Sequence, residues 1–424
     1  MDGDLGHGNH RNHPDPRGRC RRNPVQPPPR ALREIMSRLE NTVALLGELV
    51  AFPSVSSETN LPILHHIADY LAPLGARIEL LPDESGQKAN LWASFGPDLA
   101  EGGTVLSAHV DVVPVEGQDW ASDPFVLREE GGRLYGRGTC DMKGFIAAVL
   151  AMAPEFASLP LVRPLHIALT HDEEVGCVGA AALTRALHAR GLRPAMALIG
   201  EPTEMAVIDA HKGCNEYTVQ FTGRAGHGSN PAAGVNAAEY AVRYATRLIE
   251  LRAELAARAP AASPFAPPAT TINIGRIAGG QMHNVIAEHA SLAWEMRPVC
   301  PEDEAFVKAE IALLCETELL PAMRAVAPEA AIETGIEGEV AGLQRRAHNP
   351  MRDLLLSLTG ANAAGTVPFG TEAGLFANMG AATVVCGPGS IAQAHTADEF
   401  ITRDQLAACL ALLERLGATL SRPG

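Results

Sequence analysis

Two histidines and a scattered set of acidic residues stand at or just past the ends of short apolar runs. His109 and Asp111 close the run that starts at Thr104. Glu173 and Glu174 lie in His-Asp-Glu-Glu-Val at 171–175, and Glu201 follows Leu198-Ile199-Gly200. Asp141 and His395 lie in the glycine-containing segments LYGRGTCDMKG (134–144) and CGPGSIAQAHTADEF (386–400). Such runs are expected as buried strands, and open α/β sheets bind ligands just beyond strand ends. Five oxygen or nitrogen donors with one further carboxylate to move a proton are what a two-metal hydrolytic site requires. The chain is therefore expected to be a metal-dependent hydrolase.

Each residue also has a plainer reading. His109 and Asp111, two apart at a strand end, share one face of the strand. They suit a metal ligand with a supporting carboxylate, or merely a satisfied polar pair. Asp141, between a glycine-rich turn and a helix, can share its two oxygens between two cations or simply cap the helix. The side chains of neighbours Glu173 and Glu174 diverge, so one can ligate while the other takes a proton. Two carboxylates held that close repel unless a cation lies beside them. Glu201 alone reads as an ordinary loop acid. His171 is expected to be structural, His65, His66, His188 and His348 to lie on the surface, and His166, His211, His283 and His289 are left open.

Competing chemistries lack their motifs. GxSxG, Walker A and GxGxxG are absent. The eight cysteines form no CxxC pair, which argues against a zinc ribbon or a disulfide framework and suits a reducing cytoplasm. Lys and Arg number 34 against 49 Asp and Glu, a net charge of −15. That balance disfavours nucleic acid and anionic membranes as partners. No apolar run reaches the ~18–20 residues that span a bilayer.

Positioning these residues takes more than one core, because 424 residues exceed what a single core usually supports. Residues 1–35, rich in Pro, Gly, Arg, Asn and His, are expected to form a disordered tail, with the natural start at Met36. Helical spacing over Ser37–Ala51 opens the globular pattern. Strands at Arg77–Leu81, Asn90–Phe95, Thr104–Val110, Leu165–His171 and Ala195–Ile199 alternate with helices at Leu61–Ala72, Met142–Phe156 and Gly179–Arg190. That alternation predicts an α/β fold with a mostly parallel sheet covered on both faces. From 207 to 337 the style changes to α+β, with strands at Glu216–Gly223, Thr271–Ile277 and Ala290–Arg297 and helices at Asn236–Ala257 and Glu302–Leu320. The first style resumes over 338–424, with helices at Pro350–Leu358, Thr371–Ala377 and Asp404–Leu416 around a strand at Thr383–Cys386. Gly417 is expected to stop the last helix. The expected layout is thus a catalytic domain over 36–206 and 338–424 with a second domain inserted into it.

Six segments, in order, resemble the metallopeptidase M20 family, and within it the acetylornithine-deacetylating subgroup: SAHVDVVPVEGQDWASDPF (107–125), LYGRGTCDMKG, HDEEVGCVGA (171–180), GEPT (200–203), FTGRAGHGSNP (221–231) and FGTEAGLF (369–376). The resemblance implies a zinc-peptidase-like catalytic fold carrying a dimerisation (lid) domain. It implies that His109 and Glu201 bind one metal, Glu174 and His395 the other, and that Asp141 bridges them. Glu173 would be the general base and Asp111 the support of His109, with a cis peptide after Asp141. It also implies a homodimer in which His227 reaches the neighbouring active site, with Asn284, Arg297, Thr371 and Glu372 facing the substrate. The cofactor would be two divalent ions, zinc first, with cobalt or manganese as alternatives. The substrate would be a small N-acyl amino acid, with acetate and ornithine as products. The alternatives are a succinyl-diaminopimelate desuccinylase, an N-acyl-amino-acid deacylase, a dipeptidase or a non-catalytic metal-binding relative. Val110 and Ala287 depart from the threonine and proline common at those places.

Overall fold

The computed structural model describes residues 30–421. Of the tail expected over residues 1–35, residues 1–29 lie outside them and 30–35 belong to the first helix, Arg30–Val50, which begins seven residues before the expected Ser37. Among the described residues no helix is long and apolar enough to cross a membrane.

An eight-stranded sheet carries the larger part of the chain. Its order is Arg77–Pro82, Ala89–Phe95, Leu165–Thr170, Thr104–His109, Met196–Pro202, Ala382–Gly387, Ile208–His211 and Gly365–Val367. The four strands from Leu165–Thr170 to Ala382–Gly387 pair in parallel, with antiparallel neighbours on either side. Every residue of the Thr104–His109, Leu165–Thr170 and Ala382–Gly387 strands is buried, as continuous apolar runs require when helices cover both faces. On one face the helix Gly144–Ser158 packs between Arg30–Val50 and Arg403–Leu420. It is apolar nearly all round because it is enclosed. On the other face Leu183 and Leu187 of the helix Val178–Ala189 join Phe376 and Ala377 in a second core.

The last helix corrects one expectation. It runs through Gly417 to Leu420. Gly417 is no stop: a Cβ there would lie 3.1 Å from Leu159 and 3.2 Å from the Phe156 ring, so the missing side chain permits close helix packing.

A four-stranded antiparallel sheet has its own core. Its order is Thr271–Gly279, His289–Arg297, Cys214–Thr222 and Ala331–Val340. Tyr217, Val219 and Phe221 alternate with exposed or half-exposed residues and face the helix Ala237–Ala257, which Asn236 caps by accepting the Ala238 N–H at 3.1 Å. The change of sheet comes after His211 rather than at 207, because Ile208–His211 pairs into the large sheet. The strand Ala331–Val340 had no expectation, since it is largely exposed and its apolar residues show no alternation. A third, three-stranded sheet joins Arg128–Glu130, Arg133–Tyr135 and Phe400–Thr402.

Candidate metal centre

The parallel strands bring their C-terminal ends to one place. His109 is the last residue of its strand and pairs with Thr170, the last residue of the neighbouring strand. Glu173 and Glu174 follow three and four residues later. Glu201 lies within the strand Met196–Pro202 rather than beyond it. Gly200 makes that placement possible, since a Cβ there would fall 2.1 Å from the Phe145 ring packed beneath. Asp141 stands at the entry to the Gly144–Ser158 helix, and the Asp141–Met142 peptide is cis. His395 sits in the loop after the Ala382–Gly387 strand, at φ 61°. Other residues around the cage, Asp172 (φ 55°) and Cys177 (φ 54°), share this left-handed backbone. For non-glycine residues it costs energy that a constrained functional loop can hold.

Asp141 is the hinge of the cage. Its Oδ1 lies 3.0 Å from His109 Nε2 and its Oδ2 lies 3.3 Å from His395 Nε2. His395 Nε2 is also 3.0 Å from Glu174 Oε2, and His109 Nε2 is 3.8 Å from Glu201 Oε1. Donor atoms of His109, Glu173 and Glu201 lie within 4.8 Å of one another, and so do those of His109, Asp141 and Glu174. One carboxylate therefore divides two imidazoles, each with a further carboxylate beside it. The expected ligands His109, Asp141, Glu174, Glu201 and His395 and the expected base Glu173 thus lie side by side.

The electrostatics match a cation-binding cage. Burial, reinforced by Glu174, Asp141 and Asp111, raises the Glu173 carboxyl to about 8. Burial and the Asp141 charge raise Glu174 and push Glu201 well above the usual range. Hydrogen bonds to Asp141 and Glu174 raise the His395 imidazole to about 10. Burial would lower His109, yet Asp111, Asp141 and Glu201 hold it well above normal. The three glutamates are thus shifted toward their protonated forms and both imidazoles toward their charged forms, while Asp141 and Asp111 are lowered by the imidazoles despite burial, a balance that cations between them would replace. Glu201 Oε1 is buried with no hydrogen-bond partner, an orphan that a metal ion would satisfy. The donor set, two imidazoles and carboxylates, fits zinc, cobalt or manganese.

Residues behind the cage orient it. His109 Nδ1 donates to the Asp111 carbonyl at 2.9 Å, which leaves Nε2 free as a ligand. The Asp111 carboxylate, 3.6 Å from the ring, accepts the Glu173 and Glu174 N–H groups at 3.2 and 3.3 Å and the Ser56 hydroxyl at 2.8 Å. It thus steadies both His109 and the loop that carries Glu173 and Glu174. The Cys177 thiol donates to Glu173 Oε1 at 3.3 Å. Sequence reasoning missed Ser56 and Cys177. The position of Cys177, four residues after Glu173, was the one available signal.

The other expected site residues divide into two groups. Glu372 is buried, its Oε2 accepting from Thr170 Oγ1 at 2.8 Å and its Oε1 from Ser107 Oγ. Thr371 donates to His211 Nε2 at 3.0 Å and accepts the Ala373 N–H at 3.1 Å. Both therefore brace the sheet behind the cage rather than present free polar atoms. His211, left open by the sequence, is buried with Nδ1 donating to the Lys212 carbonyl at 2.8 Å, and burial lowers it to about 4. His227, Asn284 and Arg297 lie on the four-stranded unit. His227 is exposed and bonded to Ser229 Oγ at 2.7 Å, and Gly228 N–H donates to the Asn284 carbonyl at 2.8 Å. Arg297 Nη2 pairs with Glu295 at 2.7 Å and lies 4.0 Å from Glu216. None of the three bonds to a cage residue within the chain.

A model of peptidase family M20/M25/M40 matches residues 105–418, an interval that includes every cage residue. The chain belongs to the M20/M25/M40 peptidase family. An acetylornithine deacetylase of Edwardsiella ictaluri is 34% identical over 387 residues, covering 90% of this chain and 98% of the relative. An M20 family metallo-carboxypeptidase from Sulfolobus solfataricus superposes with a TM-score of 0.68 at 15% identity, covering 90% of this chain and 99% of that one. A dinuclear metal-binding M20 peptidase from Bacillus subtilis does so with a TM-score of 0.59 at 14% identity, covering 91% and 98%. Those two likenesses show that the M20 fold is shared.

Proposed function

We propose that this chain removes the acetyl group from acetylornithine, giving acetate and ornithine, with two divalent ions held in the cage. The observation that carries the hydrolytic reading is Asp141, whose two oxygens face His109 and His395 while buried Glu173 stands beside them. The choice of acetylornithine rests on relatives such as the Edwardsiella ictaluri enzyme, about a third identical over nearly the whole chain.

His109 and Glu201 would hold one ion, Glu174 and His395 the other, and Asp141 both. Zinc is the first choice, with cobalt or manganese able to replace it. When bound, such ions polarise an acyl carbonyl and acidify the attacking water. Glu173 takes the proton of that water and delivers it to the departing amine. A carboxylate with its affinity raised toward neutrality suits both halves of that transfer. Cys177 and Asp111 hold the base and its loop in place.

Arg297 exchanges its partner Glu295 for the substrate carboxylate. His227 and Asn284 serve the cage of a second copy, since within one chain they make no bond to it. Val242 and Ile249 leave apolar surface on the helix Ala237–Ala257 of the same unit, as a pairing face would. Free thiols at all seven described cysteines suit a cytoplasmic setting.

The test is a panel of acetylornithine, succinyl-diaminopimelate, other N-acyl amino acids and dipeptides, assayed with zinc or cobalt. Acetylornithine should give the highest kcat/KM. A higher value for another member reassigns the substrate within the family. No turnover on any of them, with two ions bound, overturns the hydrolase reading.

A further inference from the structure

Behind the cage lies a buried carboxylate that the reaction does not use. Glu399 is 1% exposed and collects three backbone N–H groups: Gly138 at 2.9 Å, Cys140 at 2.8 Å and Asp141 at 3.0 Å. Its own carbonyl accepts the Gly136 N–H at 3.0 Å. The turn that presents Asp141 is therefore wrapped around one side chain contributed from the far end of the chain.

The same carboxylate is linked to the other loop of the cage. Arg137, also 1% exposed, donates to Glu399 Oε2 at 2.9 Å through Nη1. Its Nη2 donates to Gln118 Oε1, and Gln118 Nε2 donates to the His395 carbonyl at 2.9 Å. Arg137 Nη1 also reaches the Thr396 carbonyl at 3.4 Å. The path from the Asp141 N–H through Glu399, Arg137 and Gln118 to His395 is thus closed by direct hydrogen bonds. It joins the backbones of two residues 254 positions apart in the sequence whose side-chain atoms Oδ2 and Nε2 lie 3.3 Å from one another.

We infer that Glu399, Arg137 and Gln118 form a brace that sets the Asp141–His395 separation, and with it the affinity for the ion those two residues share. These are positioning residues, since none faces the interior of the cage. The geometry argues for this role over mere stability. Three N–H groups from one turn converge on a single carboxylate, and a buried charge bonded in this way fixes backbone position tightly. His395 is half-exposed and left-handed, so packing alone does not hold it. Gln118 supplies the missing restraint. The inference rests on the two-ion reading of the cage.

The experiment is direct metal titration of the full chain, by calorimetry with zinc and by visible absorption with cobalt. Gln118→Ala is the decisive variant, because Gln118 is only half-buried and the apo protein should keep its melting temperature. It should bind one of the two ions about tenfold more weakly, with altered cobalt absorption for that equivalent alone. Glu399→Gln should weaken both ions by about 10- to 100-fold, because Asp141 is shared. Should Glu399→Gln not fold, Gln118→Ala alone decides. Wild-type protein that takes up two ions, with Gln118→Ala matching both affinities and both cobalt spectra, overturns the brace and leaves the two-ion reading intact. Wild-type protein that binds fewer than two ions overturns that reading and the brace with it.

Discussion

The ends of the parallel strands and the open corner around His227 beside the four-stranded sheet both carry histidines, yet they are built on opposite plans. Around Asp141 the groups His109, Asp111 and Glu201 are buried, His395 is half-exposed, and each is oriented or crowded by a charged neighbour. On the four-stranded unit His227 is exposed and bonded only to Ser229, and at the other end of the His289–Arg297 strand part-buried Arg297 pairs with Glu295. A site that binds cations must be paid for in desolvation and is therefore anchored from behind. A site that waits for a substrate or a second copy can stay open to solvent. The two regions should accordingly respond in different ways to substitution.

The largest separation is expected at Glu173. Glu173→Gln should lower turnover of acetylornithine by roughly 10²–10⁴-fold while metal content by elemental analysis stays at the wild-type level. Wild-type turnover would remove Glu173 from its role. His227→Ala tests the open corner. Turnover should fall by about 10²–10³-fold if it donates to the developing oxyanion, again with metal retained. Mixing the two variants after subunit exchange sharpens the comparison. Copies with an intact cage should recover activity from partners with an intact His227, and no recovery would mean that each chain works alone.

Smaller effects belong to the supports. Ser56→Ala frees one oxygen of Asp111 and should weaken metal binding by up to about tenfold, measured by competition with a chelator. The same exchange at Ser229 in the open corner should leave metal affinity unchanged. The smallest effect is one of pH. His166, bonded to Ser94 Oγ at 2.7 Å and stacked on Trp92 at 4.4 Å, is lowered by burial to about 4. The unfolded chain binds that proton near 6.5 and the folded chain only near 4, so stability from this group is present above 6.5 and is lost as pH falls through that window. His166→Gln should flatten the acid limb of a Tm-against-pH profile, and an unchanged slope would rule the group out.

Much of this was legible before folding was considered. Apolar runs ending in His109, before the 172–174 acids and near Glu201 predict strands, and strand ends predict a shared site, because side chains just past a parallel strand have nowhere to go but the sheet edge. The helices Leu61–Leu71 and Ala237–Ala257 were visible because their apolar spacing is unbroken. The strand Ala331–Val340 was not, since its stability comes from pairing with Cys214–Thr222 rather than from its own composition.

The residue types and their order along the chain marked out the residues that meet around Asp141 and the parallel sheet, since strand-end placement and periodicity carry that information. Only the tertiary structure decided how each ligand is held. Ser56 on Asp111 and Glu399 on the Asp141 turn are hydrogen bonds between groups that ordinary sequence spacing does not connect. Thr371 and Glu372 went behind the cage because Ser107, Thr170 and His211 offered buried polar partners there. Such pairings arise when distant segments are packed together, and no property of either segment alone announces them.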